Sequence, residues 1–138
     1  MNLHILVVDD ETSVADGVRA YLEDENMEVI TMGSAESAIE AVRQGMLCDV
    51  CIMDMRLTGI DGNTAIRILA QLNPGLRFLI HTGSAGYVIP DDLRALGLTN
   101  TDLFFKPQSD IGLLAAAARR IATVSSKIES ETQSTIPS

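Results

Sequence analysis

Five times along this chain a short apolar run gives way to a longer segment of helical period, and no other feature limits the possible folds so tightly. The apolar runs are Leu3–Val8, Glu28–Met32, Val50–Met53, Arg77–His81 and Asp102–Phe105. Between and after them come Ser13–Glu25, Ala35–Arg43, Asn63–Leu72, a weaker Asp91–Leu96, and Ile111–Val124. Repetition of strand then helix predicts right-handed crossovers and a doubly wound α/β fold, a five-stranded parallel sheet with five helices covering both faces.

Local signals set the boundaries. Thr12 or Ser13 is expected to cap the first helix, Ser34 with Ser37 to open the second, and Asp110 to precede the last. Gly45 suits the end of the second helix, and Asn73-Pro74-Gly75 is a turn that stops the third. Val14, Val18, Tyr21 and Leu22 form one apolar stripe on the first helix, and Leu113, Leu114, Ala117, Ile121 and Val124 one on the last. Residues 125–138 lose this periodicity and become polar, so the domain is expected over 1–124 and a mobile tail beyond it.

Composition narrows the function. The apolar fraction of 46% supplies a core, but no run approaches the ~18 apolar residues of a membrane span. The first apolar run has no basic residues ahead of it, so it reads as a buried strand rather than a secretory signal, and a cytoplasmic protein is expected. Net charge is −9, and nothing forms the basic stripe of a nucleic-acid interface. Cys48 and Cys51 are spaced as C-x-x-C but run into a strand, not a helix start. Side chains three apart on a strand point to opposite faces, which predicts that the two sulfurs neither pair nor share a metal.

In an open α/β sheet, ligands gather at the carboxyl ends of the strands, where strand order reverses. The first run ends in Asp9-Asp10-Glu11, the third in Asp54, the fourth in Thr82-Gly83-Ser84 and the fifth in Lys106-Pro107. If the first and third strands are neighbours, Asp9, Asp10 and Asp54 converge and require a cation. Hard oxygen donors without imidazole or thiolate favour Mg²⁺. With a lysine charge and a threonine hydroxyl added, the set suits phosphoryl transfer to a carboxylate nucleophile. His81 precedes Thr82 and so points to the other face, which predicts a packing role. His4 lies at the opposite edge.

These residues resemble the receiver domain of two-component response regulators over roughly residues 2–124. The matching pattern is Val7-Val8-Asp9-Asp10-Glu11, then Asp54, Thr82 and Lys106-Pro107, with a related loop over Asp54-Met55-Arg56-Leu57-Thr58-Gly59-Ile60-Asp61-Gly62. The family usually carries Pro where this chain has Thr58. The resemblance implies a flavodoxin-like strand order 2-1-3-4-5 and a stand-alone phosphorylation switch, not a conventional enzyme. Asp54 would take the phosphoryl group from a sensor histidine kinase or histidine phosphotransfer protein and slowly lose it to water. Asp10, Asp54 and the Arg56 carbonyl would hold Mg²⁺, with Asp9 acting through water. Lys106 would hold a phosphoryl oxygen, Thr82 would move toward it, and Gly83 would leave room for water. Arg56 and Ser84 would tune the acyl phosphate's lifetime. The implied partners are that donor and a downstream protein, with a homodimer an open arrangement and no direct nucleic-acid or membrane contact.

One position departs from the pattern. Leu103 stands where the family commonly has Tyr or Phe, which predicts altered coupling to the face formed by the fourth helix, fifth strand and fifth helix. The stretch between Thr82 and Lys106 is also slightly long, pointing to a short or mobile fourth helix. A haloacid-dehalogenase-like phosphohydrolase would need a second Asp two residues after the nucleophile, where this chain has Arg56. A degenerate, binding-only receiver sits poorly with the complete acidic, Thr and Lys set. A nucleotide-binding flavodoxin-like protein would want a glycine-rich phosphate loop that is missing here.

Overall fold

The structure is a computed structural model that describes residues 2–107 and 110–122. Val124 and the expected tail over 125–138 lie outside the described residues. The elements run β1 (His4–Val8), α1 (Thr12–Asp24), β2 (Glu28–Met32), α2 (Ala35–Arg43), β3 (Val50–Met53), α3 (Gly62–Leu72), β4 (Arg77–Thr82), α4 (Asp91–Ala95), a 3₁₀ turn (Asn100–Asp102) and β5 (Leu103–Phe105). A fifth helix, α5, covers 111–122. The sheet is parallel in the order β2-β1-β3-β4-β5, as the sequence predicts.

Alternation along the strands divides the core in two. Leu6, Val8, Cys51, Met53, Phe78 and Ile80 face one side, where Ala38, Ile39, Ala65, Ile66, Leu69 and Leu93 of α2, α3 and α4 cover them. Ile5, Val7, Val50, Ile52 and Leu79 face the other, under Ala15, Val18 and Leu22 of α1 and Leu114, Ala118 and Ile121 of α5. Strands buried on both faces read as continuous apolar runs. Helix α4 is a single short turn, in line with the expectation. Its ion pair to α3, Arg67 to Asp92 at 2.6 Å, is exposed and screened by solvent, so it contributes little. Buried Ile89, Leu93 and Leu98 each contribute about 1.5–3 kcal/mol, so apolar burial rather than charge docks this segment.

Several boundary expectations need correction. Glu11, not Thr12 or Ser13, is the N-cap of α1, and no side chain caps it. Its carbonyl accepts the Ala15 N–H and its own N–H is taken by Asp9, so the hydroxyls fall inside the helix. Ala15 replaces Tyr21 on the buried stripe of α1, and Tyr21 is exposed. Leu113 is also exposed, while Ala115 and Ala118 are buried. In both helices the small residue sits against the sheet and the longer chain points outward. Asp102 closes the 3₁₀ turn by accepting the Thr99 N–H at 2.9 Å instead of beginning β5. The caps at Ser34 and Asp110 are present, accepting from Ser37 and Gly112. Gly45 has φ +103° just past α2, a conformation that glycine adopts without a Cβ clash.

Cys48 lies before β3 rather than on it, so the opposite-face argument does not apply; both cysteines pack on the same core cluster. They are nonetheless free thiols. Burial pushes the Cys48 thiol up to about 11 and Cys51 well above its ordinary value, which removes the thiolate that redox or metal chemistry needs. Among the described residues no helix is long and apolar enough to cross a membrane.

Candidate functional site

The parallel sheet brings every strand's carboxyl end to one edge, and the ladder continues one residue past three of them. The Asp9 N–H donates to the Met32 carbonyl, the Asp54 N–H to Val8 and the Lys106 N–H to Thr82, at 3.0, 3.0 and 2.8 Å. Backbone bonds thus hold the two acids and the lysine before any side chain acts. Because β1 and β3 are neighbours, Asp9 and Asp54 stand side by side.

Lys106 crosses over them. Its Nζ lies 2.8 Å from Asp9 Oδ2, 3.2 Å from Glu11 Oε1 and 3.3 Å from Asp54 Oδ2. The Asp9 and Asp54 side chains are each 3% exposed and that of Lys106 11%. The second oxygens are held locally: Asp9 Oδ1 accepts the Glu11 N–H at 2.9 Å and Asp54 Oδ1 the Arg56 N–H at 3.2 Å. Carboxylates outnumber ammonium here three to one. Burial raises the proton affinity of Asp9, with Lys106 only partly offsetting it. Burial works against the charge of Lys106, yet its carboxylate neighbours win and raise it. The lysine's direction reflects the surplus of carboxylates around it, whereas that of Asp9 is set first by burial.

Oxygens of Asp9, Glu11 and Asp54 approach within 4.8 Å of one another. An all-oxygen donor set of this kind fits a hard divalent cation. The structure separates the acidic pair: Asp9 is buried in the site, while Asp10 is exposed and outside this group. Glu11, given no role by sequence reasoning, is inside it. Its only sequence signal is its place two residues after Asp9; its reach to Lys106, 95 residues away, is tertiary.

Thr82 is fully buried, and its Oγ1 accepts the Ser84 N–H at 3.2 Å. Gly83 and Arg56 are exposed, and Ser84 is half-buried. Gly62, the first residue of α3, packs against the residue that follows β3: a Cβ there would lie 2.4 Å from the Asp54 carbonyl oxygen. Leu103 is half-buried against the α3–α4 side of the core. His81 is buried on the α1–α5 side, away from Thr82, and among the described residues its Nε2 is the one buried side-chain nitrogen or oxygen without a partner. Burial, then the charge of Lys106, pulls its pKa down to about 4. His4 pairs with Glu28 at 2.7 Å at the far edge.

A sheet of this order with buried acids under a lysine at its carboxyl edge defines a flavodoxin-like switch-point site. The family model for the response regulator receiver domain matches residues 5–118. The chain is 35% identical over 120 residues to the alginate biosynthesis transcriptional regulatory protein AlgB of Pseudomonas aeruginosa, a match covering 85% of this chain and 25% of that protein. It is 30% identical over 131 residues to the transcriptional regulatory protein ZraR of Escherichia coli, covering 95% and 29%. The fold is that of a CheY-like receiver domain from Methanospirillum hungatei, with TM-score 0.76, 19% identity and coverage of 92% and 98%. The chain therefore belongs to the response regulator receiver domain family of two-component signalling. It spans about a quarter of the length of these two curated relatives.

Proposed function

We propose that this chain takes a phosphoryl group onto Asp54 from a phosphohistidine and later gives it to water. The observation that carries this reading is the Lys106 ammonium held by both buried carboxylates, Asp9 and Asp54, at the carboxyl edge of the sheet. An Asp54 carboxylate oxygen attacks phosphorus, the P–N bond to the donor imidazole breaks, and its electron pair returns to the ring nitrogen. Lys106 shifts from the carboxylates onto a phosphoryl oxygen, and the Thr82 hydroxyl donates to another. In the reverse half, water attacks phosphorus and the Asp54 carboxylate leaves, with exposed Gly83 beside the path.

Mg²⁺ is the cation this donor set suits; Asp9, Asp54 and the Arg56 carbonyl would hold it, with Asp10 or Glu11 from the adjoining loop. Bound there, it neutralises the charge of phosphoryl and carboxylate oxygens. Arg56 and Ser84 border the phosphoryl position and set how long the acyl phosphate survives. The donor is a sensor histidine kinase or histidine phosphotransfer protein, the setting is cytoplasmic, and the output is a contact with a downstream protein.

Incubation with acetyl phosphate and Mg²⁺, read by intact mass, tests the assignment. One added phosphoryl is expected, absent with EDTA and absent in Asp54→Asn. Retention of the adduct in Asp54→Asn would move the acceptor elsewhere.

A further inference from the structure

Leu103 stands where the family commonly has an aromatic ring; Phe104 and Phe105 follow it in β5, and the loop after β4 carries a further ring. Tyr87 is half-buried against the same core cluster as Leu103, and its hydroxyl donates to Asn63 Oδ1 at 2.7 Å. Asn63 sits in the first turn of α3, one residue after Gly62, whose backbone packs on Asp54. Tyr87 is also tied back to the site from its own side. Its N–H donates to the Ser84 carbonyl at 3.0 Å, and the Ser84 N–H donates to Thr82 Oγ1.

Two arms meet at the phenol. One runs from Asp54 through the closely packed backbone of Gly62 to Asn63; the other runs by hydrogen bonds from Thr82 through Ser84 to Tyr87. A Thr82 hydroxyl that turns toward a phosphoryl on Asp54 leaves the Ser84 N–H, and the turn that carries Tyr87 then loses its anchor. The adjacent Val88 is exposed, so a change in this turn alters the outer surface between α3 and α4.

We propose that Tyr87 is a positioning residue that holds the Thr82 loop to α3 through Asn63, and that loading Asp54 releases it. This rests on Asp54 being the phosphoryl acceptor. The released surface would be that of the β4–α4 loop and α3, not β5. Burial, outweighing the nearby cations, raises the proton affinity of the phenol, in keeping with an O–H already engaged as a donor.

The chain offers a direct probe, since it holds two tyrosines and no tryptophan. In a Tyr21→Phe background Tyr87 is the sole emitter, and Tyr21 lies outside the machinery. Beryllofluoride with Mg²⁺ serves as the phosphoryl mimic, its binding read separately by fluorine NMR. Binding is expected to change the Tyr87 emission. That change is lost in Asn63→Leu and kept in Asn63→Asp, which retains the acceptor and suits the first turn of a helix. Beryllofluoride bound with Tyr87 emission unaltered would overturn the inference while leaving the acceptor assignment standing. An equal emission change in Asn63→Leu would overturn it too. Failure of beryllofluoride to bind would remove the acceptor reading and this inference with it.

Discussion

Replacing His81 with leucine is expected to make this protein more stable, and increasingly so as the solution is acidified. His81 is 3% exposed and its Nε2 has no partner among the described residues. A buried polar atom left unsatisfied costs about 1–3 kcal/mol, which an apolar side chain of similar size does not incur. The second contribution depends on pH. The imidazole titrates at about 4 in the folded chain against 6.5 ordinarily, because burial and the Lys106 charge oppose protonation while Asp54 and Glu11 only partly favour it. As pH falls through 6.5 the unfolded chain takes up the proton first, so stability is lost progressively until about 4. Between about pH 7.5 and pH 5 the loss comes to about 2 kcal/mol, and to about 1–2 kcal/mol once solvent screening is counted. Asp9 acts in the opposite sense: its raised affinity favours the folded state as pH falls. That contribution is present in parent and variant alike and cancels in their difference. Urea unfolding followed by far-UV circular dichroism, without Mg²⁺, at the two pH values measures it. The stability gap between His81→Leu and the parent should widen by about 1–2 kcal/mol on acidification. Parallel pH profiles would refute the reasoning, since they would mean that the ring finds a proton or a partner inside the fold.

Two further outcomes follow from packing and burial. Gly62→Ala places a methyl 2.4 Å from the Asp54 carbonyl and 2.8 Å from Met55 Cα, backbone atoms that cannot swing aside. It should destabilise by about 1–3 kcal/mol and slow acetyl phosphate labelling, read by urea titration and intact mass; unchanged values of both would sink the argument. With its thiol near 11, Cys48 is expected to react with iodoacetamide at pH 8 about two orders of magnitude more slowly in the folded chain than in urea, with Cys51 slower still. Rapid native alkylation of both, counted by mass, would show that this part of the core is open.

The architecture was legible because burial on both sheet faces leaves an unmistakable mark. Runs such as Val50-Cys51-Ile52-Met53 have no polar alternation, and the amphipathic segments between them can only be crossovers. Helix faces were less legible. Tyr21 and Leu113 satisfy the apolar period as well as Ala15 and Ala118 do, but close approach of a helix to the sheet favours the small side chains, and hydropathy does not register distance. The cap of α1 was missed for a similar reason. Thr12 and Ser13 are good capping residues, yet Asp9 takes the Glu11 N–H and starts the helix one residue earlier.

The site divides along the same line. Sequence by itself determined which groups the carboxyl edge carries, because each sits at or directly after the end of a strand and parallel strands must end together: Asp9, Asp54, Thr82 and Lys106 needed no coordinates to be gathered. Only the tertiary structure decided how they are partnered. It buried Asp9 and left Asp10 outside, recruited Glu11 to Lys106 across the sheet, and left the His81 Nε2 without a partner among the described residues. It also joined Tyr87 of the loop after β4 to Asn63 in the first turn of α3, 24 residues away in the sequence. Strand ends are set by short-range patterns of burial, whereas a long side chain's partner depends on where distant backbone lies.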